Sequence, residues 1–180
     1  MKKNITKYIL LGFLSKNFNT GYEIKTLIDQ KMSNFCKFSY GQIYPTLKIL
    51  VKDELATVIT IHQDGKLDKK EYKITDKGIE TSEKWLHHPI NDLPVVNNII
   101  LLKVFFHCHK DDEAIINQIE SYKLLLINRL NTYYAIENTI QLEAQDNEDP
   151  LYGQLILDYE RRRIEAALMW CETAKNKISN

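Results

Sequence analysis

The side chains best suited to chemistry in this sequence lie in one short stretch, residues 39–52. The stretch holds the Gln42 amide, the Tyr40 and Tyr44 hydroxyls and the Lys48 ammonium. Such groups hydrogen-bond to base edges and to phosphates. Glutamine can pair with adenine through two hydrogen bonds. The stretch therefore predicts a surface that lies against a nucleic acid.

A helix with two unequal faces would position these groups. At 3.6 residues per turn, Ile43, Leu47 and Leu50 fall within one narrow apolar sector, which predicts the buried side. The opposite sector mixes small, amide and cationic groups. Ser39 and Gln42 form a capping box that marks the start of the helix. A plain amphipathic surface helix is the alternative.

The elements around this helix predict a winged helix-turn-helix. Helical spacing covers residues 5–15, with Ile5, Tyr8, Ile9, Phe13 and Leu14 as apolar positions. A second capping box, Thr20 with Glu23, opens a helix that runs to about Met32. Residues 55–61 and 70–75 read as the strands of a hairpin, and a fourth helix follows to about His87.

The rest of the chain is predicted to be three helices. They are expected near residues 95–107, 112–144 and 151–178, with Arg129 interrupting an otherwise apolar seam. Three such helices cannot all hide their apolar sides in one layer, so a second copy of the chain is expected to pack against them. The residues predicted to mediate dimerisation are Ile119, Tyr122, Leu126, Tyr133, Leu155, Tyr159 and Trp170.

The charge is divided unequally along the chain. Residues 1–88 hold 15 lysines and 10 acidic residues, whereas residues 89–180 hold 9 basic and 14 acidic residues. A basic half suits a polyanion, and an acidic half suits protein contacts. No apolar run reaches the roughly 20 residues of a membrane span, and three widely spaced cysteines do not form a disulfide framework. A cytoplasmic protein is expected.

Several further groups are predicted to contact DNA outside the bases. The backbone amides of Thr20 and Gly21 would bind a phosphate, and lysines at the hairpin tip would lie along the backbone. A solvated basic turn is the alternative for these lysines. The full set of predicted DNA-binding residues is Thr20, Gly21, Ser39, Tyr40, Gln42, Tyr44, Pro45, Lys48, Lys66, Lys69 and Lys70.

The sequence also allows other function classes. A winged helix that docks onto a protein would use the same surface, but its affinity would not fall steeply with salt. His107, Cys108 and His109 could serve a metal or thiol sensor, although histidines two positions apart on a helix point to different sides. The sequence contains no nucleophile elbow, phosphate loop or dinucleotide-binding pattern, so no enzyme and no cofactor are expected.

Five motifs give the sequence a family resemblance. Residues 8–14, 20–24, 39–47, 71–78 and 85–86 together resemble the PadR family of bacterial transcriptional regulators. The resemblance implies a homodimer on a palindromic operator in double-stranded DNA, usually as a repressor. In related regulators a small effector, in some members a phenolic acid, releases the DNA.

The sequence departs from the family at two places. Glu54 stands where the family usually has glycine, although a side chain at positive φ is costly. Lys66-Leu67-Asp68 replaces the common Arg-Pro of the wing. A small aromatic effector would bind near aromatic residues such as Tyr22, Phe35, Phe38, Phe105, Tyr122 or Tyr133.

These observations predict a mainly helical α+β protein. Residues 1–88 are expected to form the winged helix DNA-binding domain, and residues 89–180 the helical dimerisation domain.

Overall fold

The structure is a computed structural model that describes residues 5–32, 38–62, 68–93, 97–107, 112–143 and 151–179. The chain divides into two compact units, Met1–Leu93 and Pro94–Asn180. The predicted boundary at His88 stays a prediction. Within the described segments, none of the helices combines the length and the apolar character needed to cross a membrane.

The first unit has the predicted order of elements. Three helices come first: α1 at Ile5–Ser15, α2 at Gly21–Leu27 and α3 at Tyr40–Lys52. A π-helical turn, Ile28–Met32, extends α2. Strands β1 at Ala56–Ile61 and β2 at Lys69–Ile74 pair antiparallel, with Ala56 opposite Ile74 and Ile61 opposite Lys69. Helix α4 at Asp76–His87 completes the winged helix-turn-helix, so the predicted mainly helical α+β fold is confirmed.

The core of this unit lies where the helices meet the base of the hairpin. Its buried residues are Leu10, Leu11, Leu14, Ile24, Ile28, Ile43, Leu47, Leu50, Leu55, Ala56 and Tyr72. The predicted face of α1 needs correction, because Leu10 and Leu11 are fully buried whereas Ile5 is exposed. In a helix this rich in apolar residues, periodicity alone did not identify the side that packs.

The second unit consists of α5 at Ile99–Phe106, α6 at Asp112–Glu143 and α7 at Leu151–Ser179. Helices α6 and α7 pack against each other in opposite directions. Arg161 on α7 binds Glu137 on α6 at 2.8 Å, and Lys175 further along α7 binds Glu120 near the start of α6 at 2.6 Å. The order of these two ion pairs along both helices shows that α6 and α7 run antiparallel.

The side of α7 that packs within the chain is not the side that carries the predicted dimerisation residues. Leu157, Ile164 and Cys171 are buried there, at intervals of seven residues. Leu155 and Tyr159 are exposed. Helix α5 also exposes large apolar side chains within one chain, among them Phe105 and Phe106.

Candidate nucleic-acid interface

Helix α3 is fixed by burial of one side, which leaves the opposite side open. Ile43, Leu47 and Leu50 are each 0% exposed, and burial of such a side chain contributes about 1.5–3 kcal/mol. Gly41 and Lys48 lie on the open side, where both are exposed. This side carries small and cationic groups, as the sequence predicted.

The start of α3 is closed by the predicted capping pair. Gln42 Oε1 accepts hydrogen bonds from the Ser39 backbone N–H at 3.0 Å and from Ser39 Oγ at 3.3 Å. The Thr46 hydroxyl donates to the Gln42 carbonyl one turn later at 2.7 Å. The Gln42 side chain therefore folds back onto its own helix, although the residue is exposed.

Two tyrosines form a stacked pair on the side of α3 that faces α2. The Tyr40 and Tyr44 rings are 5.9 Å apart with an interplanar angle of 20°. The Lys25 ammonium of α2 lies 5.5 Å from the centre of the Tyr40 ring and also pairs with Asp29. The pair remains partly exposed, at 45% for Tyr40 and 39% for Tyr44.

The approach of α2 to α3 depends on a glycine. A Cβ at Gly21 would lie 2.7 Å from Tyr44 Cε1 and 3.3 Å from Leu47 Cδ1, closer than ordinary van der Waals contact. Gly21 thus lets the start of α2 lie against the Tyr44 ring. Both Gly21 and Tyr44 are among the predicted DNA-binding residues, and the structure brings them into contact.

In this structure the Thr20 amide is engaged within its own helix, so its predicted contact with a phosphate stays a prediction. The Thr20 N–H donates to Glu23 Oε2 at 3.1 Å, and the Thr20 hydroxyl accepts from the Glu23 N–H at 3.1 Å. Because the capping box uses both groups, the donors left at the start of α2 are the amides of Gly21 and Tyr22, which have no partner within an α-helix.

The turn after α3 keeps the backbone shape for which glycine is preferred. Glu54 has a φ of 61°, in the left-handed region. The turn is closed by the Leu55 N–H, which donates to the Leu50 carbonyl at 2.8 Å, as in a Schellman motif. Thr75 Oγ1 donates to the Glu54 carbonyl at 2.8 Å. The turn therefore joins α3 to the end of the hairpin despite the missing glycine.

The hairpin lysines differ in their surroundings. Lys69 pairs with Glu71 at 2.7 Å, and this hydrogen-bonded carboxylate raises the pKa of Lys69. Part of its charge is thus balanced within the strand. Lys70 is exposed, and Lys66 lies outside the described residues.

The predicted dimerisation residues fall into three groups. Ile119, Leu126 and Tyr133 are buried within the single chain, at 1%, 9% and 1% exposure, so they offer no surface to a second chain. Tyr122 and Trp170 are half-buried. Leu155 and Tyr159 are exposed and remain candidates for a dimer contact. The spacing of seven between Leu157, Ile164 and Cys171 was the sequence signal that could have identified the intrachain seam.

The remaining candidate sites are the metal or thiol sensor and the site for an aromatic effector. No cluster of three or more metal-binding side chains lies among the described residues, and Cys108 and His109 are outside them. His107 Nε2 lies 3.3 Å from Asp112 Oδ1, which satisfies one ring nitrogen. Of the aromatics considered for an effector, Tyr22 and Phe105 are exposed and Tyr133 is buried, while Phe35 is outside the described residues.

Three helices with an open third helix and a two-stranded wing define a winged helix-turn-helix protein, a class that binds DNA. Comparison with protein families places the chain within that class. Residues 10–84 match the transcriptional regulator PadR-like family, and residues 96–179 match the virulence activator alpha C-terminal domain. The chain belongs to the PadR-like family of DNA-binding transcriptional regulators, which are not enzymes. The predicted family is thereby confirmed.

Individual relatives support the same family. The negative transcriptional regulator PadR of Bacillus subtilis is 36% identical over 113 residues, which cover 61% of each chain and thus less than two thirds of that relative. The crystal structure of Bacillus subtilis PadR in complex with operator DNA has a TM-score of 0.82 at 24% identity, covering 97% of this chain and 99% of that chain. Its complex with p-coumaric acid has a TM-score of 0.81 at 22% identity, covering 97% and 98%. At these identities the two structures show a shared fold.

Proposed function

We propose that the chain is a homodimeric repressor that places two copies of α3 in successive major grooves of a palindromic operator. A two-fold dimer on B-DNA requires the two helices to lie about 34 Å apart. The observation that carries the proposal is the open side of α3, where Tyr44, Pro45 and Lys48 are exposed while the opposite side is anchored in the core. Operator binding by the Bacillus subtilis relative supports it.

Phosphate contacts would come from α3 and from the hairpin that follows it. The exposed Lys70 of β2 is available as a donor and Lys48 flanks the bases, whereas Gly21 at the start of α2 is buried. The first unit also carries 15 of the chain's 24 basic residues. Neutralising phosphates releases counterions, so affinity for the operator is expected to fall steeply as salt rises.

Dimerisation is assigned to the apolar side chains that one chain leaves exposed. Tyr159 on α7 is 66% exposed and Phe105 on α5 is 79% exposed. Tyr159→Glu should therefore give the mass of one chain, 21.1 kDa, in light scattering, whereas the unmodified protein gives twice that value. Thr173→Glu, which adds the same charge at an exposed polar position of α7, is the control and should remain a dimer. A monomeric unmodified protein would refute this part.

Release by an effector is assigned to a small aromatic acid, because the relative's structure holds p-coumaric acid. The acid would act by binding better to a form of the dimer whose two α3 helices do not match the operator, since a ligand shifts a population only through unequal affinities. A mobility-shift titration on the promoter of the chain's own gene tests both DNA binding and its release by the acid. p-Coumaric acid should release the DNA, and cyclohexanepropionic acid, with the same charge and no aromatic ring, should not. Binding that p-coumaric and related acids leave unchanged would refute release by this class.

A further inference from the structure

The amide that would read adenine is already engaged. Gln42 Oε1 accepts from both the N–H and the Oγ of Ser39, at 3.0 and 3.3 Å. A carbonyl oxygen has two lone pairs, so these bonds use its whole acceptor capacity. A bidentate pair with adenine needs that oxygen to accept from the N6 amino group while the amide nitrogen donates to N7. Gln42 can make this pair only by leaving the cap of α3.

Apart from the hydroxyls of Tyr40 and Tyr44, the other exposed side chains in the first turns of α3 are apolar. Tyr44 presents its ring and Pro45 presents a ring that has no donor, while Gly41 presents no side chain. A Cβ at Gly41 would meet Ser39 Oγ at 3.6 Å, an ordinary contact, so space remains beside the helix there. The first turns therefore offer apolar area, together with room for a close approach.

The Tyr44 ring is held in place on two sides. Tyr40 stacks against it at 5.9 Å, and the glycine at the start of α2 lies beneath it, with ring atoms within 3 Å of where a Cβ would stand. A ring already fixed by its neighbours loses little conformational freedom on binding. The apolar feature of the major groove is the C5 methyl group of thymine.

We infer that α3 recognises thymine, through contact of the Tyr44 and Pro45 rings with the C5 methyl group, and that Gln42 serves as a cap that positions these rings. Tyr44 and Pro45 are then specificity-determining residues, and Gln42 is a positioning residue. The inference rests on the proposed placement of α3 in the major groove.

The test replaces single atoms of the DNA. Each thymine of the protected promoter duplex is changed in turn to deoxyuridine, which lacks the methyl group, and each adenine to 7-deazaadenine, which lacks the N7 acceptor. Loss of one buried methyl contact should lower the affinity about fourfold at one or two thymines per half-site. No 7-deazaadenine position should match that loss. Thymines outside the protected region are the control.

Two protein variants identify the group that makes the contact. Tyr44→Phe keeps the ring and should keep the sensitivity to deoxyuridine, whereas Tyr44→Ala removes one of the two contacting rings and should reduce it. Affinity that depends on adenine N7 and not on thymine methyl groups would overturn the inference in favour of Gln42. Equal losses for Tyr44→Phe and Tyr44→Ala, with no deoxyuridine effect, would assign Tyr44 to a phosphate through its hydroxyl and would also overturn it. Failure of the protein to bind any unmodified duplex would instead overturn the proposed function.

Discussion

Adding one methyl group at Gly21 tests whether the packing of α2 on α3 positions a DNA-contacting ring. In Gly21→Ala the new Cβ would stand 2.7 Å from Tyr44 Cε1, whereas ordinary contacts begin at 3.4 Å, so the ring must retreat by roughly 0.7 Å. The Tyr44 ring and the Tyr40 ring stacked against it are both partly exposed, so the two rings can shift outward together. Displacing the Tyr44 ring from its rotamer costs about 0.5–1.5 kcal/mol.

The stability of the folded protein should change little. Replacing glycine by alanine reduces the freedom of the unfolded chain, which stabilises the fold by about 0.4–1 kcal/mol and offsets the strain. The free energy of unfolding is therefore expected to change by less than about 1 kcal/mol, measured by urea denaturation. Affinity for the promoter duplex should fall about five- to tenfold, because a single misplaced contact is worth roughly 1–1.4 kcal/mol.

Two controls separate the effect on the ring from other causes. Gly12→Ala makes the same change in α1, where a Cβ meets no described atom within 4 Å, and should leave affinity unchanged. In a Tyr44→Ala background the clash with the ring is gone and only the milder 3.3 Å contact with Leu47 Cδ1 remains, so Gly21→Ala should have no further effect on affinity. Equal losses in both backgrounds would refute the reasoning and would assign the effect to the backbone of Gly21 itself.

Three further changes test the packing within each of the two units. Glu54→Gly should raise the free energy of unfolding by about 0.5–1 kcal/mol in urea denaturation. The change relieves the φ of 61° at this position and loses only an exposed ion pair. An unchanged or lower stability would contradict this prediction. Gly78→Ala should destabilise the first unit by about 3 kcal/mol in the same assay, since its Cβ would stand 2.1 Å from the Leu55 carbonyl oxygen. A loss under about 1 kcal/mol would mean that the backbone shifts to make room for the methyl group. Lys175, through its hydrogen bond and charge, holds the pKa of Glu120 below its usual value of 4.5. The ion pair between Glu120 and Lys175 therefore stabilises the protein above about pH 4.5, and this stabilisation is lost as the pH falls through the lowered pKa. Melting temperatures from pH 7 to pH 3 should drop less for Glu120→Gln than for the unmodified protein, and equal drops would count against the pair.

The sequence was sufficient to predict the helices and strands of the first unit, because the signals that mark them are local. Capping boxes at Thr20 and Ser39 begin α2 and α3, and alternation of residue types reveals the hairpin. The helical periodicity alone predicted the burial of Ile43, Leu47 and Leu50. What the sequence did not show is competition for a single group: Gln42 was assigned to a base, yet the capping box predicted for it uses the same oxygen atom.

The faces of the long helices were harder to predict. On α7 apolar residues occur on more than one side, so the stripe through Leu155 and Tyr159 and the seam through Leu157 and Ile164 were both plausible. Which side of α7 packs within the chain depends on α6. The residues of α6 that α7 contacts are far from their partners in the sequence. Likewise the closeness of Gly21 to Tyr44 follows from the crossing of two helices and has no local signal.

The most direct measurement of the central claim is the salt dependence of operator binding by Lys48→Ala, followed by fluorescence anisotropy. Each lost phosphate contact reduces the slope of log affinity against log salt by about 0.9, so a dimer that loses one contact per chain should show a slope smaller by about 2. Lys177→Ala, which removes an exposed lysine at the end of α7, should keep the unmodified slope. A slope for Lys48→Ala equal to that of the unmodified protein would contradict the placement of the open side of α3 against DNA.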